Sequence, residues 1–368
     1  MIKNILGTAL WVALSFSGQM VLAMKLVPPS SGVYHGAFPD YPLDARYVWD
    51  RNINSFEILV EKALVWSYFA NDWTEEGIEF PMEAANAVFK TGKIPFIRIL
   101  PRSSRGEARG ADPIYSIDRI LKGDFDGALR RWAQRAREFK APLLVEFAPE
   151  VNGRWYPWNG FWNGGGTTTA YGDPALADGP EKYRDASRRV IGLMKEEQAD
   201  NITWFFHVDS QPKPEAPWNK MAAYYPGDQY IDWIGVSVFG AQYPWDYWDE
   251  FTTLLDFVYP ELTAISTSKP IAVVEFGVIE DLNTAGRKAN WIYGALKSLM
   301  NGRYPRVKAI SYWHENSWIP TGDNNLRLDS SYQTLNMYRR LISEVFFRTD
   351  AKFGELFNAR ARLATIVD

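Results

Sequence analysis

The chain has 368 residues, of which 46% are hydrophobic and 23% charged, and its net charge is −4. This is the composition of a folded globular protein with room for one large domain or two modest ones. The absence of a long basic cluster excludes nucleic acid as a partner on electrostatic grounds. The lack of cysteine excludes disulfides and thiolate metal sites.

Residues 1–23 read as a secretory signal. Lys3 supplies the positive start, Ile5 to Phe16 the apolar stretch and Val21-Leu22-Ala23 a small-residue cleavage site. A membrane anchor is the competing reading, but Ser15, Ser17, Gly18 and Gln19 break a stretch that is already short. Residues 24–368 are therefore expected to be secreted or periplasmic, with no stable membrane insertion. A monomer is expected.

Eight short runs rich in Val, Ile, Phe and Trp follow. The predicted strands are 33–38, 63–70, 94–100, 142–149, 202–209, 231–239, 270–277 and 307–314. Helix-like segments separate most of them, at 81–90, 125–139, 181–198, 249–265, 284–300 and 332–347. In 125–139, Leu129, Trp132, Ala133 and Ala136 fall at helical spacing, with Arg and Glu on the other face. Eight strands alternating with helices predict a single (β/α)8 TIM barrel, with extended loops after the strands forming an open active-site cleft. An open doubly wound sheet would bring a Gly-rich phosphate loop, and neither GxGxxG nor GxxxxGK[ST] occurs. No linker divides 24–368, and the packing of the charged tail 348–368 is not set by the pattern.

Chemistry in such a barrel sits at the C-terminal ends of the strands. Collecting polar residues there returns His35, Asp72, Glu150, His207, Asp209, Glu275, His314 and Glu315. Glu150 ends the fourth strand and Glu275 follows the apolar run of the seventh, so their tips face each other across the barrel mouth. An isolated buried carboxylate is costly, so such residues are either paired or functional. Two carboxylates so placed are what glycoside hydrolysis requires, one to protonate the leaving oxygen and one to attack or to activate water.

Aromatic residues make up 15% of the chain, and several crowd the segment after Glu150. Sugar rings stack on aromatic faces while their hydroxyls need polar partners, and the run NGRWYPWNGFW offers both. It contains Asn152, Trp155, Trp158 and Trp162, and local loop packing accounts for about half of its rings. Trp313, at the tip of the eighth strand, is a better-placed floor for a sugar. With three histidines and neither HxH nor HExxH, no metal site is expected, and no GxSxG elbow is present. Arg98 and Glu146, on neighbouring strands, are expected to form a structural pair inside the barrel.

The run PEVNGRWYPW resembles the acid/base segment of glycoside hydrolase family 26, usually written HE-x-NG-x-W-(F/Y)-P-W. GVYHGAFPD resembles that family's first strand, YYPGDQYIDWIGVSVFG the entry to its sixth, and KPIAVVEFG its nucleophile strand. The resemblance runs from about Gly32 to Trp313. It implies a retaining (β/α)8 enzyme acting on a β-linked polysaccharide such as mannan or mixed-linkage glucan. It also implies Glu150 as acid/base, Glu275 as nucleophile, Trp155 and Trp313 beside the cleaved bond, and no cofactor. Two positions depart from the pattern. Pro149 stands where the family has His, and Phe239 where it has a Tyr that bonds the nucleophile. His35, His207, Tyr243 or His314 are the candidates to supply the missing donors. A catalytically silent glycan-binding protein, or a glycanase serving exopolysaccharide processing, are the alternatives.

Overall fold

The computed structural model describes residues 25–41, 48–74, 77–316 and 324–354. The segment read as a signal and the tail beyond 354 lie outside the described residues. Eight parallel strands form the barrel. We number them β1 (Val33–Pro39), β2 (Trp66–Asp72), β3 (Ile94–Leu100), β4 (Leu143–Phe147), β5 (Ile202–Asp209), β6 (Trp233–Phe239), β7 (Ile271–Gly277) and β8 (Val307–His314). Each pairs with the next, and β8 returns to β1 in continuous register from Tyr34↔Ala309 to Pro39↔His314. The single (β/α)8 TIM barrel expected from the sequence is therefore closed.

The strands are buried along nearly their whole length because helices cover their outer faces. Those helices are α1 (Asp50–Val60), α2 (Met82–Lys90), α3 (Ile117–Lys122), α4 (Asp126–Phe139), α5 (Asp178–Glu196), α6 (Met221–Tyr224), α7 (Phe251–Ile265), α8 (Arg287–Met300) and α9 (Tyr332–Ile342). In α4 the buried residues are Leu129, Trp132, Ala133 and Ala136, the stripe its spacing predicts. α1 was not predicted, because polar residues interrupt its buried positions Ile53, Phe56 and Val60.

Two features position the mouth. At the opposite, N-terminal end, Lys25–Leu26 pairs antiparallel with Phe353–Gly354. The Trp233 indole donates to the Leu26 carbonyl at 2.9 Å, tying this short strand under the barrel. At the mouth, β7 carries one residue too many for its neighbours. Val236 pairs with Val273 but Ser237 with Glu275, and on the other side the register likewise shifts between Val273 and Phe276. This β-bulge re-aims the side chains that follow it, beginning at Glu275.

Candidate active site

The β4 strand ends in a sharp turn. Ala148 and Glu150, on either side of Pro149, both adopt the left-handed region, with φ of 50° and 49°. Non-glycine residues adopt that region at a cost of roughly 1–2 kcal/mol each. The surroundings hold the turn in place. The Ala148 amide donates to the Ile99 carbonyl at 2.9 Å, and the Trp158 indole donates to the Pro149 carbonyl at 2.8 Å. The turn delivers Glu150 to the barrel mouth, 6% exposed. Trp155 folds back over Gly153, where a β-carbon would lie 2.2 Å from its ring, and its indole donates to Glu150 Oε2 at 3.0 Å.

Glu275 approaches from β7, 3% exposed. Its Oε1 lies 2.9 Å from Arg98 Nη2 and accepts from the Tyr68 hydroxyl at 3.0 Å. The same Arg98 nitrogen is 3.7 Å from Glu150 Oε2, and Arg98 Nε is 3.3 Å from Glu146 Oε1. The expected Arg98–Glu146 pair is thus present, but it is one arm of a larger cluster in which one guanidinium faces three carboxylates. Tyr68, Tyr156 and Trp313 surround that guanidinium with ring centroids 5.6, 5.8 and 5.7 Å away.

Burial is the largest influence on Glu275 and raises its carboxyl to about 7, with Arg98 pulling the other way and Glu150 adding to the rise. Asp209, at the tip of β5, is likewise pushed well up by burial and then by Glu150. Glu315, just past β8, is pushed up to about 7 by burial, while its hydrogen bond from Trp313 acts in the opposite direction.

The other residues nominated from the sequence divide into groups. His207 lies inside the barrel, with Nδ1 2.9 Å from Glu146 Oε2 and Nε2 2.8 Å from Ser237 Oγ. Trp313 is half-buried, stacks on Phe38 at 4.1 Å and holds Glu315 Oε2 through its indole at 2.7 Å. Trp162 is half-buried on the loop, donating to the Arg154 carbonyl at 2.7 Å. Tyr243 lies on the β6–α7 loop, stacked on Trp245 at 5.1 Å.

Four expected ligand contacts are corrected. His35 points out of the barrel, between the Ala63 carbonyl (3.1 Å) and the Tyr338 hydroxyl (2.9 Å), and burial lowers it to about 4. His314 accepts from the Leu328 amide at 3.0 Å and packs on Phe56, and burial, then Arg327, lowers it to about 3. Asn152 is fully buried, with its side chain clasping the backbone of Asp209 at 2.7 and 2.8 Å. Trp158 is 1% exposed and covered by Tyr156 at 4.3 Å.

The sequence reading missed Tyr68 and Ser237, and it took Tyr156 only as one of the loop's sugar-facing rings. Tyr68 had a signal. It shares a strand face with Trp66 and Ala70, and its hydroxyl is the kind of donor that a buried nucleophile needs. It also answers the departure at Phe239, because Tyr68 supplies from β2 the donor to Glu275 that was sought elsewhere, and Arg98 on β3 adds an ion pair. Glu146, His207 and Glu275 bring ligand atoms within 4.8 Å of one another. Both His207 nitrogens are engaged, however, and Arg98 already supplies the positive charge there, so the donor set does not suit a metal ion.

Three kinds of comparison bear on this site. Residues 116–321 match the family model described as Glycosyl hydrolase family 26. Endoglucanase H of Acetivibrio thermocellus is 26% identical over 293 residues, 79% of this chain but 29% of that protein. A beta-1,3-xylanase of Alcaligenes sp is 27% identical over 126 residues, 34% of this chain and 22% of that one. The chain thus spans less than a third of these relatives. Among solved structures, the catalytic domain of a Bacillus sp. family 26 endo-beta-1,4-mannanase superposes with a TM-score of 0.63 at 14% identity, covering 89% of this chain and 94% of that one. A family 26 beta-mannanase from Bacteroides ovatus gives 0.61 at 14% identity, covering 87% and 90%. At such identity these two speak for the fold alone. The family model spans more than half of the chain and includes both Glu150 and Glu275, and the chain belongs to glycosyl hydrolase family 26.

Proposed function

We propose that this protein is an exported, monomeric, retaining endo-β-glycanase that cleaves a β-linked polysaccharide by double displacement. β-Mannan and mixed-linkage β-glucan are the leading substrates, and β-1,3-xylan joins them from the relatives. Glu275 attacks the anomeric carbon while Glu150 protonates the departing oxygen. Glu150 then takes the proton of the water that releases the sugar from Glu275. The reaction needs no cofactor. Trp313 offers a face for the sugar at the site, with Trp155 steadying Glu150.

The observation that carries this reading is the shared contact with Arg98. One nitrogen lies 2.9 Å from Glu275 and 3.7 Å from Glu150. The two oxygens therefore cannot be farther apart than those distances laid end to end. That favours the roughly 5–5.5 Å separation of retaining pairs over the roughly 6.5–9.5 Å of inverting ones. Pro149 and Phe239 do not require a silent protein, because a donor reaches Glu275 from Tyr68 and one reaches Glu150 from Trp155, with Arg98 as an ion-pair partner of Glu275.

A panel of mannan, mixed-linkage glucan and β-1,3-xylan, with products followed by NMR, tests the proposal. Retention at the anomeric centre is expected, with loss of at least about 10²–10⁴-fold in kcat for Glu150→Gln and Glu275→Gln. Inversion would refute the retaining mechanism. Tight binding of a glycan without cleavage would assign a silent glycan-binding role instead.

A further inference from the structure

Beneath the proposed pair runs a line of buried polar contacts that double displacement does not itself require. The Tyr68 hydroxyl stands between two carboxylates, Glu275 at 3.0 Å and Glu146 closer still. Glu146 Oε2 meets His207 Nδ1 at 2.9 Å, and His207 Nε2 meets Ser237 Oγ at 2.8 Å. The line crosses the barrel interior from β7 through β2, β4 and β5 to β6, and every side chain in it is buried. A proton or charge at one end is therefore felt at the other with little screening by water.

We propose that Tyr68, Glu146 and His207 are positioning residues that set the ionisation of Glu275, with the His207 imidazolium as a second counter-charge beside Arg98. The proposal rests on the reading of Glu275 as the nucleophile. The groups acting on His207 are Glu146 and Glu150 from β4 and its turn, Glu275 from β7 and Ser237 from β6, and Arg98 from β3 and Tyr68 from β2 meet the same Glu146. Three of them are carboxylates, and Arg98 alone is a cation. Both ring nitrogens have an oxygen within hydrogen-bond distance, which suits a doubly protonated ring donating on both sides. Burial works against that charge, but Glu146, then Glu275 and Glu150, outweigh it and raise His207 above its ordinary value. Coupling between two sites is reciprocal, so the same imidazolium favours the ionised form of Glu275.

The sequence makes the test practical, because it has three histidines. His35 and His314 are held neutral near pH 7, so a doubly protonated imidazole signal at that pH is assignable to His207. ¹⁵N-imidazole NMR of the full-length protein should show His207 doubly protonated at pH 7. Glu275→Gln should lower its pKa by about one unit, with the His35 and His314 signals unmoved as a check on folding. In kinetics, Tyr68→Phe should shift the acidic limb of kcat/KM upward by about one pH unit. His207→Asn keeps a donor toward Glu146 but removes the charge. It should shift the limb equally.

A His207 ring that is singly protonated at pH 7, or that titrates identically in Glu275→Gln, would overturn the proposal. So would an acidic limb unmoved in both Tyr68→Phe and His207→Asn. A wild type that cleaves no glycan would refute the nucleophile reading, and the NMR coupling would still decide whether the charges are linked.

Discussion

Arg98 carries an unusual share of the charge balance in this molecule. It is 6% exposed and within 3.7 Å of Glu146, Glu150 and Glu275. Removing one partner from a buried ion cluster leaves uncompensated charge and typically costs 3–5 kcal/mol. Arg98→Met is therefore expected to lose about 3–5 kcal/mol at pH 7 by urea denaturation, and to recover part of that loss at pH 5 as Glu275, already raised to about 7, takes up its proton. Arg98→Lys keeps the charge but not the planar fork that reaches two carboxylates at once. It should fold and bind glycan, with the acidic limb of kcat/KM displaced upward because the shorter lysine holds its charge farther from Glu275. Equal stability of Arg98→Met and wild type at pH 7 would show that Arg98 compensates no buried charge there.

Elements explain why part of this site was legible in the sequence and part was not. Strand positions and the α4 stripe follow from local periodicity, so all eight barrel strands were found with small errors at their ends. The placement of Glu150 and Glu275 at strand tips followed from the same periodicity. His35 and His314 were misassigned because a strand has two faces, and in this barrel both rings turn outward onto α1 and α9. Tyr68 escaped notice because its role depends on partners on β4 and β7, far away in sequence. The bulge in β7 is likewise visible only once its neighbours are in register.

The loop after β4 makes a sharper prediction. Gly153 has an ordinary backbone conformation, so alanine is excluded there only by the ring of Trp155, 2.2 Å from the added carbon. Gly153→Ala should push the indole away from Glu150 and remove the hydrogen bond between them. Such bonds are worth about 0.5–1.5 kcal/mol, so a fall in kcat/KM of roughly two- to tenfold is expected. Trp155→Phe should cost about the same. The double variant should be little worse than either, because both remove one interaction. Additive losses would mean that Gly153 matters for another reason.

At the scale of the whole molecule, the site lowers stability while serving its proposed chemistry. Glu315 illustrates this without being one of the reacting carboxylates. Burial raises it to about 7 in the folded protein, against 4.5 for the free side chain. Between those values the folded state holds a proton that the unfolded chain has released, so this contribution to stability is full below about pH 4.5 and is lost as pH rises through 7. His35 and His314, lowered to about 4 and 3, act in the opposite sense over an overlapping range. The folded state resists protonating them, so their contribution grows as pH rises toward 6.5. The opposing slopes flatten the profile of the intact protein, and the effect of Glu315 emerges only as a difference. Glu315→Gln keeps an acceptor for the Trp313 indole and removes the titration. It should match wild type near pH 4.5 and exceed it by about 1–3 kcal/mol at pH 8, measured by denaturant unfolding at each pH. A constant difference across that range would show that Glu315 ionises in the folded state as readily as it does in water.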